Sequence, residues 1–312
     1  SYGIMPLAVH IASQLQAHLP PPLWELLLRA GGVAQAKGWP LYLVGGIVRD
    51  LILGRSSQDL DIVVEGDAPF LAKTISPEAV THPRFGTAKV RFEQWSLDLA
   101  SARQEEYPHP GALPQVRPSD IHHDLGRRDF TINAIAVNLS PTSMGQLLDP
   151  FGGKRDLEQR LIRILHPKSF TDDATRIFRA LRYEQRFDFK LEENTRKLLL
   201  QDIPQLNTIS GDRLRHEIEL IFKEKAPQKV LARAGELGVL RQLSPNLRGD
   251  NLAQVQGASL TLSFCFLLYP LSRQEGESLI ARLNFPKTTG HILSQTLALK
   301  EELLKLAALL PT

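Results

Sequence analysis

Cysteine is almost absent from this chain, with one residue, Cys265, among 312. A single thiol excludes an intrachain disulfide and any zinc or iron–sulfur site built from cysteines, and it suits a reducing compartment such as the cytoplasm. Long apolar runs are missing as well. The most apolar stretch, LTLSFCFLLYPL at 260–271, is shorter than the about 20 residues of a membrane-spanning helix, so it reads as a buried helix and no membrane partner is expected. No secretory signal is legible at the N-terminus, and the residues ahead of Met5 read as a remnant of expression. Repeats and low-complexity tracts are lacking too. Charge of one sign is not in large excess: 37 basic against 34 acidic residues leave a net charge of +3. Together with a pI near 9.0, that is only a weak lean toward anionic partners such as phosphate. At 43% hydrophobic and 23% charged, the chain has the composition of an ordinary globular protein, long enough for two or more domains.

The chain changes character near residue 165. Before it, short β-branched segments (41–44, 61–64, 88–92, 96–100 and 131–139) alternate with Gly/Pro turns and brief helical stretches. After it, apolar residues recur at helical spacing almost to the end, as in TRIFRALRYEQRF and RLRHEIELIFKE. The pattern predicts an α+β head followed by an all-helical region. Residues 1–38, interrupted by LPPPLW, read as a helical segment feeding the first strand.

The most informative stretch is LYLVGGIVRDLILGRSSQDLDIVVEG, residues 41–66. A strand ending at Val44 runs into Gly45-Gly46, where missing side chains let backbone amides approach a ligand, and IVRDLIL then reads as a helix whose N-terminus suits phosphate. Asp59 and Asp61 stand at i and i+2 of the next strand, so their carboxylates share a face while Leu60 and Ile62 point the other way. Two adjacent carboxylates repel unless a cation lies between them. They suit Mg²⁺, which takes hard oxygen ligands and bridges to substrate phosphates. A third carboxylate, Asp98 in SLDLA, sits between apolar residues on an expected buried strand, where it should meet either a metal or a base such as Arg103. A glycine turn, Asp-x-Asp and a lone later carboxylate appear in the order found in DNA polymerase β-type nucleotidyltransferases.

Four segments carry the resemblance further: LVGGIVRDLILGRSSQDLDIV, DLGRRDFTINAIAVNL (124–139), DPFGGKRDLEQRLIRIL (149–165) and DDATRIFRALRYEQRF (172–187). In order and style they resemble the class II tRNA nucleotidyltransferases, a family of CCA-adding, CC-adding and A-adding enzymes and bacterial poly(A) polymerases. The likeness covers roughly residues 40–225. It implies a polymerase β-like catalytic head (39–165), a helical neck that reads the base (166–225) and a helical body (226–312). It also implies a longer chain, with a tRNA-gripping tail expected to be reduced here. Activity, by this resemblance, is addition of C and A, all or part of CCA, to the 3′ end of tRNA from CTP and ATP with Mg²⁺. Asp59 and Asp61 would hold the metals, with Asp98 as the third catalytic carboxylate, and Gly45, Gly46 and Arg49 would contact the nucleotide. Two alternatives remain: an acceptor-nonspecific poly(A) polymerase, and a nucleotide-sensing or RNA-binding module with an inactive head, which intact Asp59 and Asp61 oppose.

Within the second motif, RRDFTINAIAV alternates as a site-lining strand would, with Phe130, Ile132, Ala134 and Ala136 on one face and Asp129, Thr131, Asn133 and Ile135 on the other. Arg127 and Arg128 offer donors for phosphate or ribose oxygens, and Asp129 an acceptor for a ribose hydroxyl. The resemblance implies ribose selection by Arg128 and Asp129. Nearby, His122-His123 reads as loop surface. The fourth motif predicts a helix from Asp173 carrying Arg176, Arg179 and Arg182 three residues apart. Cytosine and adenine share an exocyclic amine beside an unprotonated ring nitrogen. Asp173 can accept from the amine while Arg176 donates to the nitrogen, whereas uracil and guanine oppose both contacts. Asp172 stands where the family usually has Glu. Four prolines and a glycine in EEYPHPGALPQVRPSD (105–120) predict a loop beside the site, where the family has a flexible element involved in the change from C to A. SGDRLRHEIELIF (210–222) reads as a capped helix with Arg213 and Arg215.

Overall fold

The computed structural model describes residues 11–249, 252 and 257–308. The residues ahead of Met5 and the rest of 1–10 therefore lie outside the described residues. The chain divides into two compact units, one of residues 1–106 and 114–165, the other of residues 107–113 and 166–312.

The first unit mixes helices and strands. Its helices are α1 (Ala12–His18), α2 (Pro21–Ala36), α3 (Gly46–Ile52), α4 (Ala68–Ile75), α5 (Ile121–Gly126) and α6 (Gly153–Gln159); its strands are β1 (Leu41–Val44), β2 (Asp59–Val64), β3 (Val80–His82), β4 (Thr87–Phe92), β5 (Trp95–Ser101), β6 (Arg103–Glu106), β7 (Gln115–Pro118), β8 (Ala136–Asn138) and β9 (Leu147–Leu148). Seven strands form one mixed sheet in the order β3-β4-β5-β2-β1-β8-β9. Within it β2 runs parallel to β5 and antiparallel to β1. Prolines open α2, where their missing N–H groups cost nothing. Asp67 and Asp120 start α4 and α5 by accepting the Phe70 and His123 amides at 2.9 Å. Val44, Val63, Ala102, Ile121, Leu125, Ala134 and Ala136 form a buried cluster joining β1 and β2 to α5.

The second unit is built almost wholly of helices: α7 (Ser169–Asp172), α8 (Thr175–Phe187), α9 (Glu193–Asp202), α10 (Gly211–Phe222), α11 (Pro227–Glu236), α12 (Val239–Leu243), α13 (Leu260–Leu268), α14 (Arg273–Arg282) and α15 (Lys287–Ala308). An edge-to-face chain of Phe222, Phe264 and Phe285, with centroids 4.9 and 4.7 Å apart, packs part of its core. Helix α13 buries only one face, because Leu260 and Leu262 stay exposed.

Several sequence expectations need correcting. The stretch 131–139 is not one strand: Thr131–Asn133 form a 3-10 turn, and only Ala136–Asn138 join the sheet. Thr131 Oγ1 donates to Asp156 Oδ2 at 2.6 Å, and Gly153 packs so tightly that an added Cβ would stand 2.1 Å from the Thr131 carbonyl oxygen. Residues 129–137 are consequently buried without alternation. The 105–120 stretch is not all loop, because β6 and β7 pair as a two-stranded hairpin with Arg103 opposite Pro118. Proline is excluded from a central strand but tolerated in such an isolated pair. His122 and His123 lie on α5 and not in a loop.

Candidate active site

Strand β1 delivers the chain to Gly45 at φ +73° and ψ −133°, a region open in practice to glycine alone, and α3 begins at the next residue. Register then sets the neighbours. Asp61 pairs across the sheet with Val44, the residue before the glycine turn, and on its other side with Asp98. Leu60 and Ile62 are buried, whereas Asp59 is exposed and Asp61 half-buried, so the two carboxylates share the open face of β2. Asp98 lies on the same level of β5 but is half-exposed, because Leu97 and Leu99 take the buried face. Its expected burial is thus wrong. Its base is Lys89, 3.1 Å away on β4, and Arg103 pairs instead with Glu105.

Beside this group stands Arg128, whose Nη1 lies 2.8 Å from where a Cβ on Gly45 would be, with Asp61 Oδ2 3.4 Å from the same point. A buried carboxylate, Asp124, holds the arginine pair: Arg127 bonds Oδ1 through Nε and Nη2 at 3.0 and 2.9 Å, and Arg128 Nη2 bonds Oδ2 at 3.1 Å. Arg127 also donates to Glu105 at 2.9 Å. Asp124 was missed from sequence, although its place three and four residues before two arginines on a helix is the signal. A second buried chain runs from Arg49 Nη1 to Asn133 Oδ1 at 2.7 Å and from Asn133 Nδ2 to Asp129 Oδ1 at 2.9 Å. Gly45, Gly46, Arg49, Asp59, Asp61, Asp98, Arg127, Arg128, Asp129 and Asn133 are therefore drawn together in the first unit.

The donor set fits Mg²⁺. Asp59 and Asp61 supply hard oxygens on one open face, and burial pushes the Asp61 carboxyl above its ordinary range; Arg128 pulls it down, and Asp98 and Asp59 push it up again. A bound cation would remove that repulsion. Among the described residues no three His, Cys, Asp or Glu side chains form a ready-made cage. That is compatible with Mg²⁺, which is commonly held by one or two carboxylates with water and substrate phosphates completing its shell. Arg128 Nε is buried with no partner among the described residues, leaving a donor for an anion.

Gly45→Ala is the sharpest local test of the cradle. The backbone strain costs about 1–3 kcal/mol, and the methyl group must displace the Arg128 guanidinium. The expected result is a lower melting temperature together with weaker triphosphate binding by calorimetry. Unchanged affinity would remove the turn from the site.

In the second unit, Asp173 lies between α7 and α8. Its Oδ1 accepts from the Thr175 amide at 3.0 Å, Thr175 Oγ1 at 2.6 Å and Arg213 Nη2 at 2.8 Å. Oδ2 accepts no hydrogen bond among the described residues. Arg176, buried, donates to Ser169 Oγ at 2.7 Å. Arg179 donates to the Tyr183 hydroxyl at 3.3 Å and stacks on its ring. Arg182 is different: buried, it pairs with Glu217 and Glu224, each at 3.1 Å. Burial pushes the Glu217 carboxyl up, and Arg179 and Arg182 pull it down. Asp172 sits 4.0 Å from His166. Burial and then Arg176 hold the His166 imidazole below its ordinary pKa, against the pull of Asp172.

Residues 41–163 match the family model described as "Poly A polymerase head domain", and residues 188–250 that described as "Probable RNA and SrmB- binding site of polymerase A". A solved structure of a CCA-adding enzyme in apo form II is 35% identical with a TM-score of 0.83, covering 93% of this chain and 74% of that one. This chain belongs to the tRNA nucleotidyltransferase and poly(A) polymerase family. Another member, the Thermotoga maritima CCA-adding enzyme complexed with tRNA, is 34% identical with a TM-score of 0.78 over 93% of this chain and 73% of that one. The A-adding tRNA nucleotidyltransferase of Geobacter sulfurreducens is 42% identical over 246 residues, 77% of this chain and 28% of that protein. Relative to the first curated members of the family, the chain spans between 25% and 53% of their length. The matched head domain contains every site residue of the first unit. No helix among the described residues is long and apolar enough to cross a membrane.

Proposed function

We propose that this chain adds C and A, all or part of CCA, to the 3′ end of tRNA from CTP and ATP, without a nucleic-acid template. One observation carries the reading: the Gly45 turn lies between the Arg128 guanidinium and the Asp61 carboxylate, so an anion cradle adjoins a metal-binding pair. The triphosphate would lie along the Gly45-Gly46 turn with Arg128 and Arg127 against its oxygens, their orientation held by Asp124. Arg49, Asn133 and Asp129 form a rigid polar chain suited to the ribose hydroxyls. When bound to Asp59 and Asp61, Mg²⁺ would supply charge neutralisation for the pyrophosphate and activation of the attacking 3′-hydroxyl. Asp98, tethered to Lys89, keeps a further carboxylate and a cation at the edge of that face. Base choice is assigned to Asp173 Oδ2, accepting the exocyclic amine that cytosine and adenine share, with Arg176 donating to the ring nitrogen. Arg179 would support that pair. Arg182, engaged with two glutamates, would act by holding α8.

A tRNA partner is supported by the family relative solved with tRNA. The 42% identity to an A-adding relative favours a second reading, addition of the terminal A alone. One assay tests both. Purified protein receives tRNA transcripts lacking CCA, CA or A, with each labelled triphosphate in turn. C and A incorporation supports the first reading; A incorporation on the CC-ending transcript alone supports the second. An unlimited A tail on arbitrary RNA, or CTP binding without turnover, would exclude both.

A further inference from the structure

Arg213, in the first turn of α10, uses one guanidinium for two partners. Its Nη2 donates to Asp173 Oδ1 at 2.8 Å, and its Nη1 donates to the carbonyl oxygen of Gly111 at 3.3 Å. Gly111 belongs to the segment 107–113, which groups with the second unit. The contact of that segment is close: Gly111 has φ +75°, and a Cβ built on it would stand 2.5 Å from both the carbonyl oxygen and Oγ1 of Thr208. Only glycine fits there without displacing backbone. Thr208 ends the 3-10 turn Ile203–Thr208, shortly before α10 begins. The floor under Gly111 and the arginine that touches Asp173 therefore lie on consecutive elements.

We propose that Arg213 is a positioning residue for base selection, orienting the Asp173 carboxylate while the 107–113 segment is seated, so that the seating of this segment tunes which bases are accepted. The inference rests on the reading of Asp173 as the base-contacting carboxylate. Three donors on Oδ1 fix the carboxylate plane and leave Oδ2 as the acceptor for one amine. Two of those donors belong to Thr175, on the helix that follows, and only Arg213 holds the carboxylate from another element. Without it, rotation about Cβ–Cγ lets the carboxylate turn toward a ring N–H. Uracil and guanine both present such a donor, so loss of orientation weakens rejection of those two bases. Lifting the segment removes one of Arg213's two anchors and loosens its hold by the same route.

The test compares Arg213→Ala, Arg213→Lys and Gly111→Ala with the wild type, measuring kcat/KM for all four triphosphates on CCA-lacking and CC-ending tRNA, with circular-dichroism melting to verify folding. Arg213→Ala and Gly111→Ala are expected to lower discrimination against UTP and GTP by about tenfold, the usual scale for one charge-assisted hydrogen bond. Lysine restores the charge but cannot span both partners, so Arg213→Lys should fall between alanine and wild type. Introducing Asp173→Ala first should erase these differences, which a merely structural role for Arg213 would not do. Wild-type discrimination in folded Arg213→Ala or folded Gly111→Ala overturns the proposal, as does an undiminished Gly111→Ala effect on the Asp173→Ala background. If both alanine variants fail to fold, Arg213→Lys carries the test, and wild-type selectivity there overturns the proposal. A wild type that does not distinguish the four triphosphates overturns the base-reading assignment itself and leaves nothing for Arg213 to tune.

Discussion

Replacing Asp61 or Asp59 with alanine is expected to cut nucleotide transfer by about three orders of magnitude or more while leaving tRNA affinity near that of the wild type. The two carboxylates share the open face of β2, and Asp61 already carries the electrostatic burden of two like charges beside it. Removing either leaves the sheet intact, since the buried residues of that strand are Leu60 and Ile62 to Val64. The loss should therefore appear in kcat and in the Mg²⁺ requirement, not in melting temperature. Single-turnover incorporation across a Mg²⁺ titration measures it. Near-normal turnover at saturating metal in either variant would end the assignment of these residues as metal ligands.

Asp124→Ala should give the largest loss of stability. Its carboxylate is fully buried and is the common partner of Arg127 and Arg128. Breaking a buried ion pair from one side typically costs about 3–5 kcal/mol, because the remaining charge stays desolvated. Glu105 still holds Arg127, which places the expectation at the lower end. In a protein of this size that corresponds to roughly 10 °C in the melting temperature. Triphosphate affinity should fall with it, since Arg128 loses the bond that orients it beside Gly45. Asp124→Asn, which keeps the shape and an acceptor oxygen, should recover part of both. A melting curve that does not move would show that water or another group replaces the carboxylate.

Much of the site in the first unit was legible because its signals are local. The Gly-Gly break after four β residues and the Asp-x-Asp alternation each depend on neighbours within a few positions. Where the reading went wrong, long-range partners decide. Thr131–Asn133 has the period of a strand, but Asp156 and Gly153, more than twenty residues later, pull it into a turn and bury it on all sides. Asp98 looked buried between two leucines, yet in a sheet open on one face the residue between two buried neighbours points outward. The three arginines of α8 look equivalent in sequence. Glu217 and Glu224, on and just past α10, make Arg182 a packing ion pair and leave Arg176 and Arg179 to lighter contacts. The hairpin of β6 and β7 was hidden by prolines that forbid a central strand but not an isolated pair.

The parallel pairing of β2 with β5 also bears on when the site comes into being. Asp61 meets Asp98 only after α4, β3 and β4 have been threaded between them, whereas its antiparallel partner β1 is close by in the chain. Contacts between distant parts of a chain close slowly, because the intervening loop's entropy must be lost before the pairing compensates for it. A chain emerging from the ribosome would thus display the glycine turn and the Asp-x-Asp strand well before the lone carboxylate and its lysine arrive. Assembly of the complete charge pattern is tied to completion of the head, so a half-made chain has little means of engaging nucleotide.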